Sequence, residues 1–213
     1  MDTEKNTVIE KREHTPVYTI ARCLAWILFR TICPIRYHAT DRMNLRAPYI
    51  MIANHKSGLD PIALALACKE YEIRFVGKKE LSNNKLLAWL LNQLHMITVD
   101  RHNSDLAAMR MCTKMLRENK VLGIFPEGTR HLPDLMSEVE TGTAVLALRA
   151  KVPLLPVYFS SKLRPFHITH VYVGEAMDIS DLCAQGCDTQ TAEQLSQRIR
   201  ETFHAMRDEF QKQ

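Results

Sequence analysis

The pattern of apolar and polar residues divides the chain into an N-terminal amphipathic stretch and a longer part in which short apolar runs alternate with helix-like segments. Short apolar runs bounded by turn residues predict strands over residues 49–53, 73–76, 96–99, 121–125, 154–159 and 168–173. Apolar residues spaced three or four apart predict helices over residues 61–70, 85–94, 104–118, 138–150 and 192–211. This alternation predicts an α/β fold with a mixed, largely parallel sheet flanked by helices.

The N-terminal stretch 17–33 (VYTIARCLAWILFRTIC) is apolar, but it is shorter than the roughly 20 residues that a membrane-spanning helix needs, and it contains Arg22 and Arg30. On a helix, both arginines lie away from one broad apolar face, which comprises Val17, Ile20, Ala21, Leu24, Ile27, Leu28 and Ile32. Such a face is typical of a helix in the membrane interface, and a helix packed on the protein core is the alternative. We therefore expect a membrane-associating segment over residues 1–40 and an α/β domain over residues 41–213.

A second apolar stretch, residues 85–94 (KLLAWLLNQL), leaves almost no polar face on a helix. Two interpretations remain open for it, a buried helix and an element that dips into the membrane.

Composition and net charge limit the kinds of ligand and partner that the protein can bind. The net charge of +4 arises from 28 Lys and Arg against 24 Asp and Glu, which is too small an excess for a nucleic-acid-binding protein but suits an anionic membrane surface. The seven glycines form neither a P-loop nor a dinucleotide-binding motif. Six scattered cysteines, with no signal peptide before them, suggest free thiols in a reducing compartment, and Cys183 and Cys187 lack the partners of a zinc site.

The first candidate for chemistry is the sequence NHKSGLD at residues 54–60, which directly follows a predicted strand and precedes a predicted helix. His55 and Asp60 are too far apart in angle to meet on one regular helix, but they can meet if His55 lies in the turn. A carboxylate bound to one imidazole nitrogen leaves the other as a general base. The alternative for Asp60, which precedes Pro61, is a helix N-cap. Ser57 is a poor candidate nucleophile because no G-x-S-x-G elbow is present.

Several cations also follow predicted strands. Arg130 ends the sequence FPEGTR at residues 125–130, where a rigid proline and a permissive glycine precede it. Lys78 and Arg101 follow two other strands. Because the carboxyl ends of parallel strands meet at one edge of a sheet, we expect these cations beside His55, where an anionic ligand would offset their mutual repulsion.

Together these motifs resemble the 1-acyl-sn-glycerol-3-phosphate acyltransferases, the PlsC-like lysophosphatidate acyltransferases. NHKSGLD is similar to the NHxSxxD block of that family, residues 95–101 to its second block, FPEGTR to its third, and residues 152–157 (VPLLPV) to its last. Residues 78–81 match the KxEL segment of the family, and residues 173–175 are similar to its late strand and turn. The resemblance therefore covers most of the chain.

The resemblance implies that His55 is the general base and Asp60 its orienting carboxylate. It implies further that Lys78, Arg101 and Arg130 are candidates to bind the acceptor phosphate, that Glu127 and Gly128 shape that pocket, and that Thr129 belongs to the substrate-binding residues. It also implies that a fatty acyl group moves from acyl-coenzyme A or an acyl carrier protein to the free hydroxyl of 1-acyl-glycerol-3-phosphate, giving phosphatidate for phospholipid biosynthesis. No metal or cofactor is expected besides the thioester co-substrate. The implied location is the cytoplasmic face of the inner membrane, with peripheral or monotopic attachment.

Two departures from the family pattern bear on substrate binding. His95 and Met96 stand where glycine and an aliphatic residue are usual, and Glu140 stands where a lysine is common. Another lysophospholipid or glycerol-3-phosphate therefore remains open as acceptor. The rival functions are a hydrolase, in which water replaces the lipid hydroxyl, and a non-catalytic membrane-binding module, which has no need for the pairing of His55 with Asp60.

Overall fold

The computed structural model of the protein describes residues 16–78, 96–99, 106–130 and 134–212, and it confirms the predicted α/β fold. The helices are α1 (Pro16–Thr31), α2 (Asp60–Ala67), α3 (Leu106–Arg117), α4 (Thr141–Ala150), α5 (Ser180–Gln185) and α6 (Thr189–Phe210), with a 3₁₀ helix at Thr40–Asn44. The strands are β1 (Ile35–His38), β2 (Tyr49–Ala53), β3 (Ile73–Lys78), β4 (Ile97–Val99), β5 (Val121–Ile124), β6 (Leu154–Phe159) and β7 (Thr169–Val173).

The seven strands described form one sheet in the order β1-β7-β6-β2-β5-β3-β4. From β6 to β4 all neighbouring strands are parallel, whereas β7 is antiparallel to β6 and parallel to β1. The carboxyl ends of β2, β3, β4, β5 and β6 therefore lie at one edge, which we call the catalytic edge because the predicted base, His55, follows β2 there. The amino ends of β1 and β7 lie at that same edge because these two strands run in the opposite direction.

Helices cover both faces of the sheet, which explains why β2 (YIMIA) is apolar along its whole length. Ile50 and Ile52 face the layer that contains α3, α4, α5 and α6. Tyr49, Met51 and Ala53 face the layer that contains α1 and α2. All five side chains are fully buried, so β2 is held rigidly in the middle of the molecule, and the turn that follows it is well placed for chemistry.

The elements that sequence patterning missed are short. Strand β1 and helix α5 were not predicted, because β1 is a partly exposed edge strand with the polar sequence IRYH and α5 is a six-residue helix. Helix α6 begins at Thr189, three residues before the predicted start, because Asp188 caps it by accepting a hydrogen bond from the Thr191 backbone N–H at 2.7 Å. The predicted helix over residues 85–94 lies outside the described residues.

Helix α1 has one face on the protein and another that carries exposed apolar side chains. Tyr18, Ala25 and Phe29 are buried against the domain. Arg22 also faces the protein and donates hydrogen bonds from Nη1 to the carbonyl oxygens of Ala65 (2.8 Å) and Cys68 (3.1 Å) near the end of α2. On its outer side Ile20 is 60% exposed, Leu24 63% and Ile27 52%. Among the helices described, α1 included, none combines the length and the apolar character that a membrane crossing requires.

Candidate active site

The sequence NHKSGLD forms the turn that joins β2 to α2 at the catalytic edge. The backbone N–H of Asp60 donates to the carbonyl of Ser57 at 3.1 Å, which closes the turn, and Pro61 occupies the first turn of α2, where its missing N–H is tolerated. The Ser57 hydroxyl accepts the backbone N–H of Leu59 at 3.2 Å. The turn thus directs His55 and Asp60 toward each other although five residues separate them.

The side chains of His55 and Asp60 meet in this turn. His55 Nδ1 lies 2.9 Å from Asp60 Oδ2, and the same oxygen accepts the backbone N–H groups of Lys56 (2.7 Å) and Ser57 (2.6 Å). Asp60 is fully buried, whereas the His55 side chain is 18% exposed. Because a carboxylate only accepts, Nδ1 carries the proton and Nε2 is left as an acceptor. Asp60 therefore holds the turn and the imidazole together rather than capping the helix by its side chain.

Glu127 supports His55 from the neighbouring strand end. Its Oε2 accepts the backbone N–H of His55 at 2.6 Å, and its Oε1 accepts the backbone N–H of Met136 at 3.0 Å. The side chain is buried, and this burial raises the pKa of the Glu127 carboxyl. Both oxygens of Glu127 are thus engaged by backbone amides, one of them belonging to His55 itself.

Two residues that sequence reasoning did not assign to the site complete the support of His55. The ring of Phe125 stacks on the imidazole, with 4.2 Å between ring centroids and 25° between planes. Asn54 is fully buried, accepts the backbone N–H of Phe159 at 2.7 Å and donates to its carbonyl at 3.0 Å. A polar Asn directly after a buried strand was the available signal for the contact of Asn54 with Phe159. No local signal indicated the stacking of Phe125 on His55.

Arg130 lies over the turn that contains His55. A Cβ added to Gly58 would be 3.2 Å from Arg130 Nη1, so the exposed guanidinium crosses the turn at Gly58, three residues from His55. Gly128 has a φ of +65°, and a Cβ there would lie 2.5 Å from Glu140 Oε1. Thr129, which lies between Gly128 and Arg130 in the sequence, is half-buried. The turn after β5 therefore needs glycine both for its backbone conformation and for the space that Glu140 occupies.

Of the two other predicted cations, the structure describes the backbone of Lys78 but not Arg101. Lys78 ends β3 at the catalytic edge, two strands from β2, and its backbone pairs with Val99 of β4. Arg101 lies outside the described residues. Within the part of the chain that the structure describes, no group of three or more His, Cys, Asp or Glu side chains is arranged to hold a metal ion.

Comparisons with known proteins agree on one family. The sequence profile of the family described as Acyltransferase matches residues 34–160. A 1-acyl-sn-glycerol-3-phosphate acyltransferase of Streptococcus pneumoniae is 29% identical over 200 residues, covering 90% of this chain and 74% of that protein. One of Bacillus subtilis is 26% identical over 175 residues, covering 78% of this chain and 87% of that protein.

A solved structure supports the fold. The crystal structure of the 1-acyl-sn-glycerophosphate (LPA) acyltransferase PlsC from Thermotoga maritima superposes with a TM-score of 0.68 at 21% identity, covering 92% of this chain and 79% of that one. The profile match spans more than half of the chain and includes both NHKSGLD and FPEGTR. The protein belongs to the acyltransferase family, and within it resembles the 1-acyl-sn-glycerol-3-phosphate acyltransferases along most of its length.

Proposed function

We propose that the protein transfers a fatty acyl group from a thioester donor to the free hydroxyl of 1-acyl-glycerol-3-phosphate, giving phosphatidate. The observation that carries this proposal is the contact of His55 with Asp60 at the end of β2, which leaves His55 Nε2 as an acceptor at a partly exposed position. The names of the two bacterial relatives support the same reaction. We infer that the product enters phospholipid biosynthesis.

In the proposed reaction His55 Nε2 removes the proton from the acceptor hydroxyl as the oxygen attacks the thioester carbonyl. Collapse of the tetrahedral intermediate breaks the carbon–sulfur bond, and the imidazolium returns the proton to the departing thiolate. Asp60 stabilises the imidazolium through Nδ1 and keeps the ring in the productive tautomer. The substrate hydroxyl is the nucleophile, so the scheme has no covalent acyl-enzyme.

Arg130 is our leading candidate for binding the acceptor phosphate. Its guanidinium is exposed, lies over Gly58 and is suited to bidentate contact with phosphate oxygens. Lys78 and Arg101 are the further cations that we assign to this anion, since Lys78 is the last residue of β3, Arg101 comes two residues after β4 in the sequence, and both strands end at the catalytic edge. A phosphate held there would bring the glycerol hydroxyl beside the imidazole, which converts binding energy into orientation.

For the rest of the FPEGTR turn we propose a supporting role. Glu127 holds the backbone of His55, and the positive φ of Gly128 together with Thr129 brings Arg130 back over the NHKSGLD turn. Because backbone amides occupy both oxygens of Glu127, we assign this residue to positioning the base rather than to direct contact with the acceptor.

We further propose peripheral attachment to the cytoplasmic face of the inner membrane through α1. The exposed side chains of Ile20, Leu24 and Ile27 give this helix an apolar outer face that no described part of the protein covers. The buried inner face and the two hydrogen bonds of Arg22 tie the same helix to α2, whose first residue is Asp60. Attachment through α1 would therefore orient α2, and with it Asp60, relative to the lipid.

The proposal is tested with purified protein, labelled acyl-coenzyme A or acyl carrier protein as donor, and a panel of lysophosphatidate, glycerol-3-phosphate and lysophosphatidylcholine as acceptors. We expect phosphatidate as the product, with transfer by His55→Ala reduced by about 10² or more. Release of free fatty acid without a lipid product would indicate a hydrolase instead. Acylation of another acceptor in preference to lysophosphatidate would retain the chemistry and change the substrate.

A further inference from the structure

The loop that joins β6 to β7, residues 160–168, leaves the sheet beside the turn that carries His55 and Asp60. Strand β6 ends at Phe159, whose backbone N–H and carbonyl are both hydrogen-bonded to the side chain of Asn54, the residue before His55. Because β7 runs back from the same edge, the whole loop lies on the side of the sheet where β2 ends. The mechanism proposed above assigns no role to this loop.

The tip of the loop presents an aromatic side chain to solvent. Phe166 is 85% exposed and Ile168 is 42% exposed, whereas Leu163 is buried and anchors the loop in the core. Phe166 also has a φ of +58°, an unfavourable conformation for a bulky residue, and its backbone N–H donates to the carbonyl of Ile32 at 2.6 Å. The fold therefore holds a large apolar side chain outward at a defined position.

The loop is hydrogen-bonded to the residues that directly follow α1. Besides the bond from Phe166 to Ile32, the backbone N–H of Thr169 donates to the carbonyl of Pro34 at 3.0 Å. Ile32 itself is 43% exposed and its carbonyl is bonded to Phe166, so exposed apolar side chains occur on the outer face of α1, at Ile32 and on the loop. An apolar patch of this kind on a protein surface marks a contact site.

The two segments that carry this patch have charged side chains of one sign only. Residues 28–40 and 160–174, which include the end of α1, β1, the loop and β7, contain no Asp or Glu. Their Lys and Arg residues are Arg30, Arg36, Lys162 and Arg164, and all four are exposed. Exposed aromatic and aliphatic side chains on segments whose Asp/Glu/Lys/Arg residues are all cations match a surface with an apolar interior and anionic headgroups.

We propose that the β6–β7 loop is a second membrane contact, in which Phe166 inserts between lipid headgroups and Lys162 and Arg164 bind anionic lipid beside the active site. The role in catalysis that this implies, holding the catalytic edge at the surface that supplies the lipid acceptor, rests on the acyltransferase function proposed above. The contact itself depends only on the loop. An acidic protein would match the cations, but it would not explain an outward phenylalanine joined to the apolar face of α1.

The test measures binding of the full-length protein to vesicles of phosphatidylcholine with and without phosphatidylglycerol. For Phe166→Ala we expect roughly tenfold weaker partitioning into both, as for loss of a buried aromatic side chain. For the double variant Lys162→Ala/Arg164→Ala we expect roughly 30-fold weaker binding to the anionic vesicles alone, because each basic side chain near such a surface contributes about a factor of five.

Matched controls lie on α3, on the opposite face of the sheet. Met111 is 48% exposed, and Arg110 and Arg117 are exposed cations, so Met111→Ala and Arg110→Ala/Arg117→Ala make equivalent changes away from the loop. We expect both controls to bind vesicles like the wild type. Loop variants that bind as tightly as these controls would overturn the proposal. If their KM for an acyl carrier protein donor then rose, the loop would be a protein-docking surface instead.

A second measurement separates this inference from the proposed function. Wild-type turnover is assayed with a short-chain lysophosphatidate that is soluble without vesicles. We expect turnover there, and we expect the loop variants to match the wild type in that assay while losing activity on vesicles. Absence of turnover together with weakened vesicle binding by the loop variants would refute the proposed lysophosphatidate acyltransferase activity and leave the membrane contact standing.

Discussion

Replacing Glu127 by glutamine tests how His55 is held. The carboxylate of Glu127 accepts one backbone N–H from His55 at 2.6 Å and one from Met136 at 3.0 Å. Glutamine keeps one oxygen as an acceptor but places an NH₂ group where the other acceptor was, so one of the two bonds is lost. The shape of the side chain is otherwise conserved.

The expected effect on stability follows from this lost bond. A hydrogen bond to a charged group contributes about 1.5–3 kcal/mol, whereas the whole free energy of unfolding of a domain is about 5–15 kcal/mol. Glu127→Gln should therefore remain folded. Removing both bonds in Glu127→Ala would cost roughly twice as much, which makes glutamine the more informative substitution.

The expected effect on catalysis is larger than the effect on binding. Release of the His55 backbone allows the imidazole to move, and a misplacement of about 1 Å costs on the order of 10² in rate. We expect Glu127→Gln to reduce kcat by roughly 10- to 100-fold, with KM for donor and acceptor nearly unchanged. The assay is initial rate against each substrate, with circular dichroism to confirm folding.

Asp188→Ala serves as the control, because it removes the N-terminal cap of α6, costs about 1 kcal/mol of stability and lies outside the site. It should destabilise the protein without lowering kcat. If Glu127→Gln instead kept its kcat and raised the KM for the acceptor, Glu127 would contact the acceptor and the positioning argument would be wrong.

Four further outcomes are expected. His55→Ala and Asp60→Asn should each fold and lose acyl transfer, by about 10² or more for the histidine, and near-full turnover by His55→Ala would end the proposed mechanism. Arg130→Lys should raise the KM for lysophosphatidate and Arg130→Ala should raise it further, while donor binding measured alone stays constant; weakened donor binding only would assign this arginine to the donor. Leu24→Glu, on the exposed face of α1, should weaken vesicle binding roughly tenfold or more, and unchanged binding would move the contact away from α1. Burial raises the pKa of Glu127 above its ordinary 4.5, so the fold binds this proton more tightly than the unfolded chain does. The resulting stabilisation is complete below pH 4.5 and is lost as the pH rises through the folded pKa. Urea unfolding should therefore show a larger deficit for Glu127→Gln at acid pH than at neutral pH, and a smaller one would contradict this sign.

Local sequence was sufficient to predict most helices and strands. Strands β2 and β6 begin and end where their apolar runs predict, because both are central strands and a continuous apolar run reflects burial on two faces. The motifs NHKSGLD and FPEGTR were also visible as polar groups that follow such strands. Burial and turn chemistry act over a few neighbouring residues, so they leave a record in the local sequence.

The contacts that support the site depend on the order of the strands, which local patterns do not encode. Glu127 meets the backbone of His55, 72 residues earlier in the chain, because β5 is the neighbour of β2. Asn54 meets Phe159 because β6 lies on the other side of β2. Phe166 reaches Ile32 because β7 pairs with β1, an edge strand that the sequence pattern did not predict. The sequence alone thus indicated which residues are candidates for the chemistry, whereas only the tertiary structure decided which backbone each of them supports, because those pairings are made across the sheet rather than along the chain.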